Sequence, residues 1–112
     1  MRYLQADGRE AQPISGLSLP ELAGLLAFTR LLLANDSGVA HLAGAVGAPV
    51  AAVYGPSDPA IWGVRQDLAV NIRSSSCPPC FDRRRKCDAR ECLSGLSAEV
   101  VAESAAELLS RR

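Results

Sequence analysis

The stretch from Leu31 to Pro56, LLLANDSGVAHLAGAVGAPVAAVYGP, limits the possible folds more than any other part of the chain. Its apolar opening, Leu31-Leu32-Leu33-Ala34, has the length and composition of a strand buried on both faces. A short polar turn follows, Asn35-Asp36-Ser37-Gly38. Asp36 is a good N-cap for a helix beginning at Ser37, because its carboxylate accepts from N–H groups that the first turn leaves without partners. That helix passes through Ala40, Leu42, Ala43 and Ala45 and stops at Gly47, which tolerates the left-handed conformation of a C-cap. Pro49 blocks continuation, and Val50 to Tyr54 reads as a second buried strand. Strand, helix and strand at this spacing form a βαβ unit, with parallel strands and a right-handed crossover. The turn at Asn35–Gly38 then lies at the carboxyl end of the first strand, where open α/β sheets bind ligands.

The flanking segments supply the remaining layers. Residues 1–15 are polar, contain Gly8 and Pro13, and read as a ragged start in which Arg2-Tyr3-Leu4 is a candidate strand end. Ser18-Leu19-Pro20-Glu21 is a capping box, predicting a helix with Leu22, Leu25 and Leu26 on one face and an end near Thr29-Arg30. After Tyr54, Gly55-Pro56-Ser57-Asp58-Pro59 is a rigid loop. Ala60 to Asp67 shows no clear period, and Trp62 is expected in the core or on a crevice wall. Leu68 to Ile72 is a third strand, 74–95 a cysteine-rich loop, and 97–111 a final helix capped by Ser97. In that helix Val101, Ala105 and Leu108 share a face, opposite Glu99, Glu103 and Glu107.

Composition excludes several functions. With 48% hydrophobic residues the chain can bury a core, and at 112 residues it is one small domain or a piece of a larger one. Twelve basic residues balance twelve acidic ones, so no overall charge favours nucleic acid or an anionic membrane. No apolar run reaches the ~18 residues of a membrane span. The N-terminus lacks a signal-peptide core, so a cytoplasmic protein is expected, with membrane contact no more than peripheral.

The turn after the first strand combines three features. A helix N-terminus presents unpaired N–H groups and the positive end of a dipole, which favours a phosphate. Gly38 lets an anion approach the backbone, and His41, the single histidine, lies four residues beyond Ser37. Asp36, itself an anion, fits better against ligand hydroxyls beside the phosphate. A sugar diphosphate meets both demands. A plain N-cap, a tight turn and a packed imidazole are the structural alternative.

Asp36-Ser37-Gly38-Val39-Ala40-His41-Leu42-Ala43, then Gly47-Ala48-Pro49 and Gly55-Pro56-Ser57-Asp58-Pro59, resembles glycosyltransferase family 9, the ADP-heptose:lipopolysaccharide heptosyltransferases. Cys77-Pro78-Pro79-Cys80-Phe81 and Cys92-Leu93 also look like a cysteine segment of many members. The resemblance implies an α/β fold: a Rossmann-like parallel sheet with flanking helices, here a truncated C-terminal half of a GT-B enzyme. Residues 1–112 would then be part of a sugar-nucleotide-binding domain. By the same analogy Asp36, Ser37, Gly38, His41, Gly55, Pro56 and Ser57 bind ADP-heptose or a similar donor, for inverting transfer to a lipopolysaccharide core acceptor. No cofactor is required in that scheme. The family's acceptor domain and carboxylate base have no counterpart before Asp36, so no catalytic residue is assigned and the isolated chain is expected to be inactive.

The cysteines leave several possibilities open. Cys77, Cys80, Cys87 and Cys92 have spacings that admit a structural zinc, free thiols or a facultative disulfide. The basic run Arg83 to Lys86 lies inside the same loop. A non-catalytic α/β interaction module with a zinc-binding basic cysteine loop is therefore the alternative to an enzyme.

Overall fold

The computed structural model describes residues 10–75 and 91–111. Residues 10–18 carry no regular structure, and the first helix, α1, spans Leu19–Ala27. Its start is the expected capping box: Ser18 Oγ accepts from the Glu21 N–H at 3.3 Å, and the Ser18 N–H donates to Glu21 Oε1 at 3.1 Å. Leu26 is buried and Leu22 packs beside it, whereas Leu25 turns outward. The helix ends earlier than the periodicity suggests.

Bonding to the Ser18 side chain, and then to its backbone N–H, holds the Glu21 carboxyl below its ordinary value. A lowered carboxyl contributes stability above its unfolded value, and that contribution disappears as pH falls through the folded one. Ser18→Ala should cost about 1 kcal/mol near neutral pH. The difference from wild type should shrink in acid as Glu21 protonates, which urea denaturation at pH 7 and pH 3 would measure.

Three strands follow, β1 (Leu32–Asn35), β2 (Val50–Val53) and β3 (Ala69–Ile72), in the spatial order β1-β2-β3 and parallel throughout. Leu32 pairs with Val50 and Asn35 with Val53, while Val53 also pairs with Ile72. Between β1 and β2 runs α2 (Gly38–Ala45). Its end is a Schellman motif in which Gly47 takes φ +83°. The Gly47 N–H bonds to the Gly44 carbonyl and the Ala48 N–H to the Ala43 carbonyl.

Alternation along β2 divides the core into two layers. Val50 and Ala52 face one way, into a cluster with Leu26, Ala40, Ala43, Ala48, Tyr54 and Val64. Ala51 faces the other way, with Ile72 and Ala105. Ala105 belongs to the last helix, α5 (Ala98–Ser110), which Ser97 caps by accepting from the Val100 N–H. Val101 and Leu108 point inward as the pattern predicts, and Glu107 pairs with Arg111 at 3.0 Å on the solvent side. Helices on both faces of a parallel sheet make the fold a Rossmann-like α/β sandwich.

Two expectations need correction here. β1 is not buried on both faces: Leu33 remains 55% exposed, because among the described residues β1 is an edge strand with helical cover on one side. The stretch after Tyr54 is not featureless. It holds a one-turn helix, α3 (Pro59–Trp62), capped by Asp58, whose Oδ1 accepts from the Ala60 N–H at 2.9 Å. Another single turn, α4 (Glu91–Ser94), lies in the segment read as the cysteine loop. Turns this short are below the length at which a helical period shows.

Candidate functional site

Parallel pairing puts every strand exit at one end of the sheet. Asn35 pairs with Val53, and the ladder runs one step further, the Asp36 N–H donating to the Val53 carbonyl at 2.9 Å. The Tyr54 N–H likewise bonds to the Ile72 carbonyl at 2.8 Å. Asp36, Ser37 and Gly38 therefore leave β1 beside the point where Tyr54, Gly55 and Pro56 leave β2.

Asp36 does not cap α2, which corrects the sequence reading. Ser37 is the N-cap residue, extended at φ −162° and ψ 165°, and the helix begins one residue later at Gly38. Ser37 gives no side-chain cap either; its hydroxyl donates to the Asn35 carbonyl at 3.0 Å. By contrast α1, α3 and α5 each have a capping side chain. The first N–H groups of α2 thus face outward without a side-chain acceptor, beside an exposed Asp36 carboxylate. Space in front of Gly38 is open: an added Cβ would meet nothing within 4 Å.

The other predicted residues are distributed unevenly. Gly55 is buried, Pro56 exposed and Ser57 half-buried. His41, one turn into α2, lines an open depression of about 380 Å³ with Ile61, Trp62 and Arg65. Trp62 is not core; it is 56% exposed at the edge of that depression. Cys92 is a half-buried free thiol, while Cys77, Cys80 and Cys87, like the basic run, lie outside the described residues. Among the described residues no group of three or more His, Cys, Asp or Glu could hold a metal ion. No described helix is long and apolar enough to cross a membrane.

Tyr54 is fully buried immediately after β2. Its hydroxyl donates to the Trp62 carbonyl at 3.1 Å, joining the end of β2 to α3. Burial pushes the phenol above its ordinary value and the Asp36 charge adds to this, while a bond to the Val64 backbone opposes it.

Arg73 was not singled out by the sequence reading. As the first residue after β3, it donates from Nη2 to the Gly55 carbonyl at 3.1 Å and from Nη1 to the Ser74 carbonyl at 3.3 Å. The available signal was a cation immediately following the third strand, at the same end as both motif loops. Its bonding partner is 18 residues away, which no local pattern reveals.

A Rossmann-like sheet with a polar turn, an uncapped helix start and a glycine-proline loop at its carboxyl end has the layout in which open α/β sheets carry ligand sites. Comparison with known proteins gives the family. The model of "Glycosyltransferase family 9 (heptosyltransferase)" matches residues 9–91, so the chain belongs to glycosyltransferase family 9. It is 33% identical over 81 residues to lipopolysaccharide heptosyltransferase 1 of Pseudomonas aeruginosa, covering 71% of this chain and 23% of that protein. With lipopolysaccharide heptosyltransferase 3 of Escherichia coli the identity is 32%, covering 93% of this chain and 31% of the other. The crystal structure of a family 9 glycosyltransferase from Veillonella parvula superposes with a TM-score of 0.79 at 29% identity, covering all of this chain and 34% of its own. The chain thus spans between about a quarter and a third of the length of these relatives.

Proposed function

We propose that these residues are part of a C-terminal sugar-nucleotide-binding domain and hold the donor of a GT-B heptosyltransferase, ADP-heptose or a close analogue. The observation that carries this reading is the adjacency of the Asp36–Gly38 turn and the Gly55–Ser57 loop at the carboxyl ends of paired parallel strands. In this assignment Asp36 accepts from sugar hydroxyls. The backbone at Ser37 and Gly38, with the dipole of α2, receives the diphosphate. Gly55, Pro56 and Ser57 form the facing wall, and His41 supports the outer end. The names of the relatives, lipopolysaccharide heptosyltransferases, support a lipopolysaccharide core acceptor.

The reaction is inverting transfer. An acceptor hydroxyl attacks the anomeric carbon, the bond from that carbon to the phosphate oxygen breaks, and ADP departs with the electron pair. A carboxylate base takes the acceptor proton; no residue of this chain is assigned to it. Here the N–H groups of α2 stabilise negative charge growing on the leaving diphosphate, an electrostatic contribution requiring no metal in this scheme.

Calorimetry on the 112-residue chain tests the proposal. Both ADP-heptose and ADP should bind, the sugar adding affinity, while the chain alone should transfer no heptose to a lipopolysaccharide core acceptor. Absence of binding by either ligand would overturn the donor assignment, and transfer by the isolated chain would overturn the assignment of the base elsewhere.

A further inference from the structure

We infer that Arg73 is a positioning residue for donor binding: it clamps the exits of β2 and β3 and thereby sets the Gly55–Ser57 wall of the crevice. The inference rests on the donor reading above. The β2–β3 ladder runs one step past both strands, with the Tyr54 N–H on the Ile72 carbonyl. At that point the Arg73 guanidinium takes over, one nitrogen on the Gly55 carbonyl and another on the Ser74 carbonyl. Gly55 and Ser74 are both buried, so these carbonyls need partners.

Gly55 is held from a second side. A Cβ there would lie 3.2 Å from Leu93 Cδ2, so α4 packs directly against the glycine. The loop bearing Pro56 and Ser57 therefore starts from a fixed point between Leu93 and Arg73. A planar fork can bridge two carbonyls at once, whereas an ammonium is a compact point charge on a flexible stem and a carboxamide has a single NH₂ group.

The test compares wild type, Arg73→Lys and Arg73→Gln as ¹⁵N-labelled full chains. Without ligand, the Gly55 and Ser57 amide resonances should move in both variants while those of α5 stay in place. ADP-heptose affinity of the folded variants should fall about tenfold. Unmoved loop resonances, or unchanged affinity in a folded variant alongside normal wild-type binding, would overturn the inference and leave the donor reading intact. Wild type that binds no ADP-heptose defeats the donor reading and the affinity claim together, and the ligand-free resonances then judge the clamp alone. Wild type also gives a measurement independent of any variant. Its Arg73 guanidinium protons should exchange slowly and shift on adding ADP-heptose; fast exchange with no shift would contradict the clamp.

Discussion

Replacing Asp36 with alanine is expected to weaken ADP-heptose binding roughly a hundredfold, about 3 kcal/mol, because hydrogen bonds from hydroxyls to a carboxylate are lost. ADP, which lacks the heptose, should bind the same variant at least as tightly as wild type. The contrast in sign follows from the geometry. Asp36 is exposed beside an uncapped helix start; in the proposed assignment its charge repels a diphosphate while its oxygens accept from a sugar. It bonds through its backbone to Val53 and gives α2 no cap, so removing the side chain should leave the turn standing. Calorimetry with both ligands reads the two effects separately. Equal losses for ADP and ADP-heptose would mean that the carboxylate serves the turn rather than the sugar.

Gly63→Ala should be the most damaging single methyl in the described fold. The new Cβ would overlap the Pro59 carbonyl oxygen and lie 2.9 Å from Asn71 Nδ2. Neither neighbour can easily yield. The Pro59 carbonyl accepts the Gly63 N–H at 2.8 Å, closing α3. The Asn71 side chain pairs with Val64 as a second strand would, Oδ1 accepting from its N–H at 3.0 Å and Nδ2 donating to its carbonyl at 3.2 Å. Relief of the overlap must break one of these bonds near a buried backbone. The expected cost is about 3 kcal/mol, combining overpacking with a lost hydrogen bond. Urea denaturation should show a lower midpoint with an unchanged slope. A midpoint within error of wild type would mean that α3 shifts freely, and the path from Tyr54 through the Trp62 carbonyl would then carry no rigidity to the β2 exit.

The features legible in the sequence were the local ones. Ser18 and Glu21 act on each other within one turn, Gly47 takes its conformation from its own backbone, and Val101, Ala105 and Leu108 repeat at a helical spacing. Each declares its role within a few residues. The alternation that turns Val50 and Ala52 from Ala51 is equally local, so the sheet and both its layers could be anticipated. The errors have other causes. Asp36 lost the cap because an extended Ser37 shifts the helix start by one residue, a choice that both polar side chains left open. Leu33 looked buried because a strand's composition does not say whether it lies at an edge. Asn71, a polar residue inside a strand, and Arg73 just beyond it act on Val64 and Gly55, seven and eighteen residues away, and such contacts have no local pattern.

Titrating ADP-heptose into the ¹⁵N-labelled chain and following every amide tests the assignment of the crevice most directly. The largest shifts are expected at Ser37, Gly38 and Val39 and at Gly55 and Ser57, two segments separated in sequence that meet at the carboxyl ends of β1 and β2. Shifts confined to other parts of the chain, with those two segments unmoved at saturation, would contradict it.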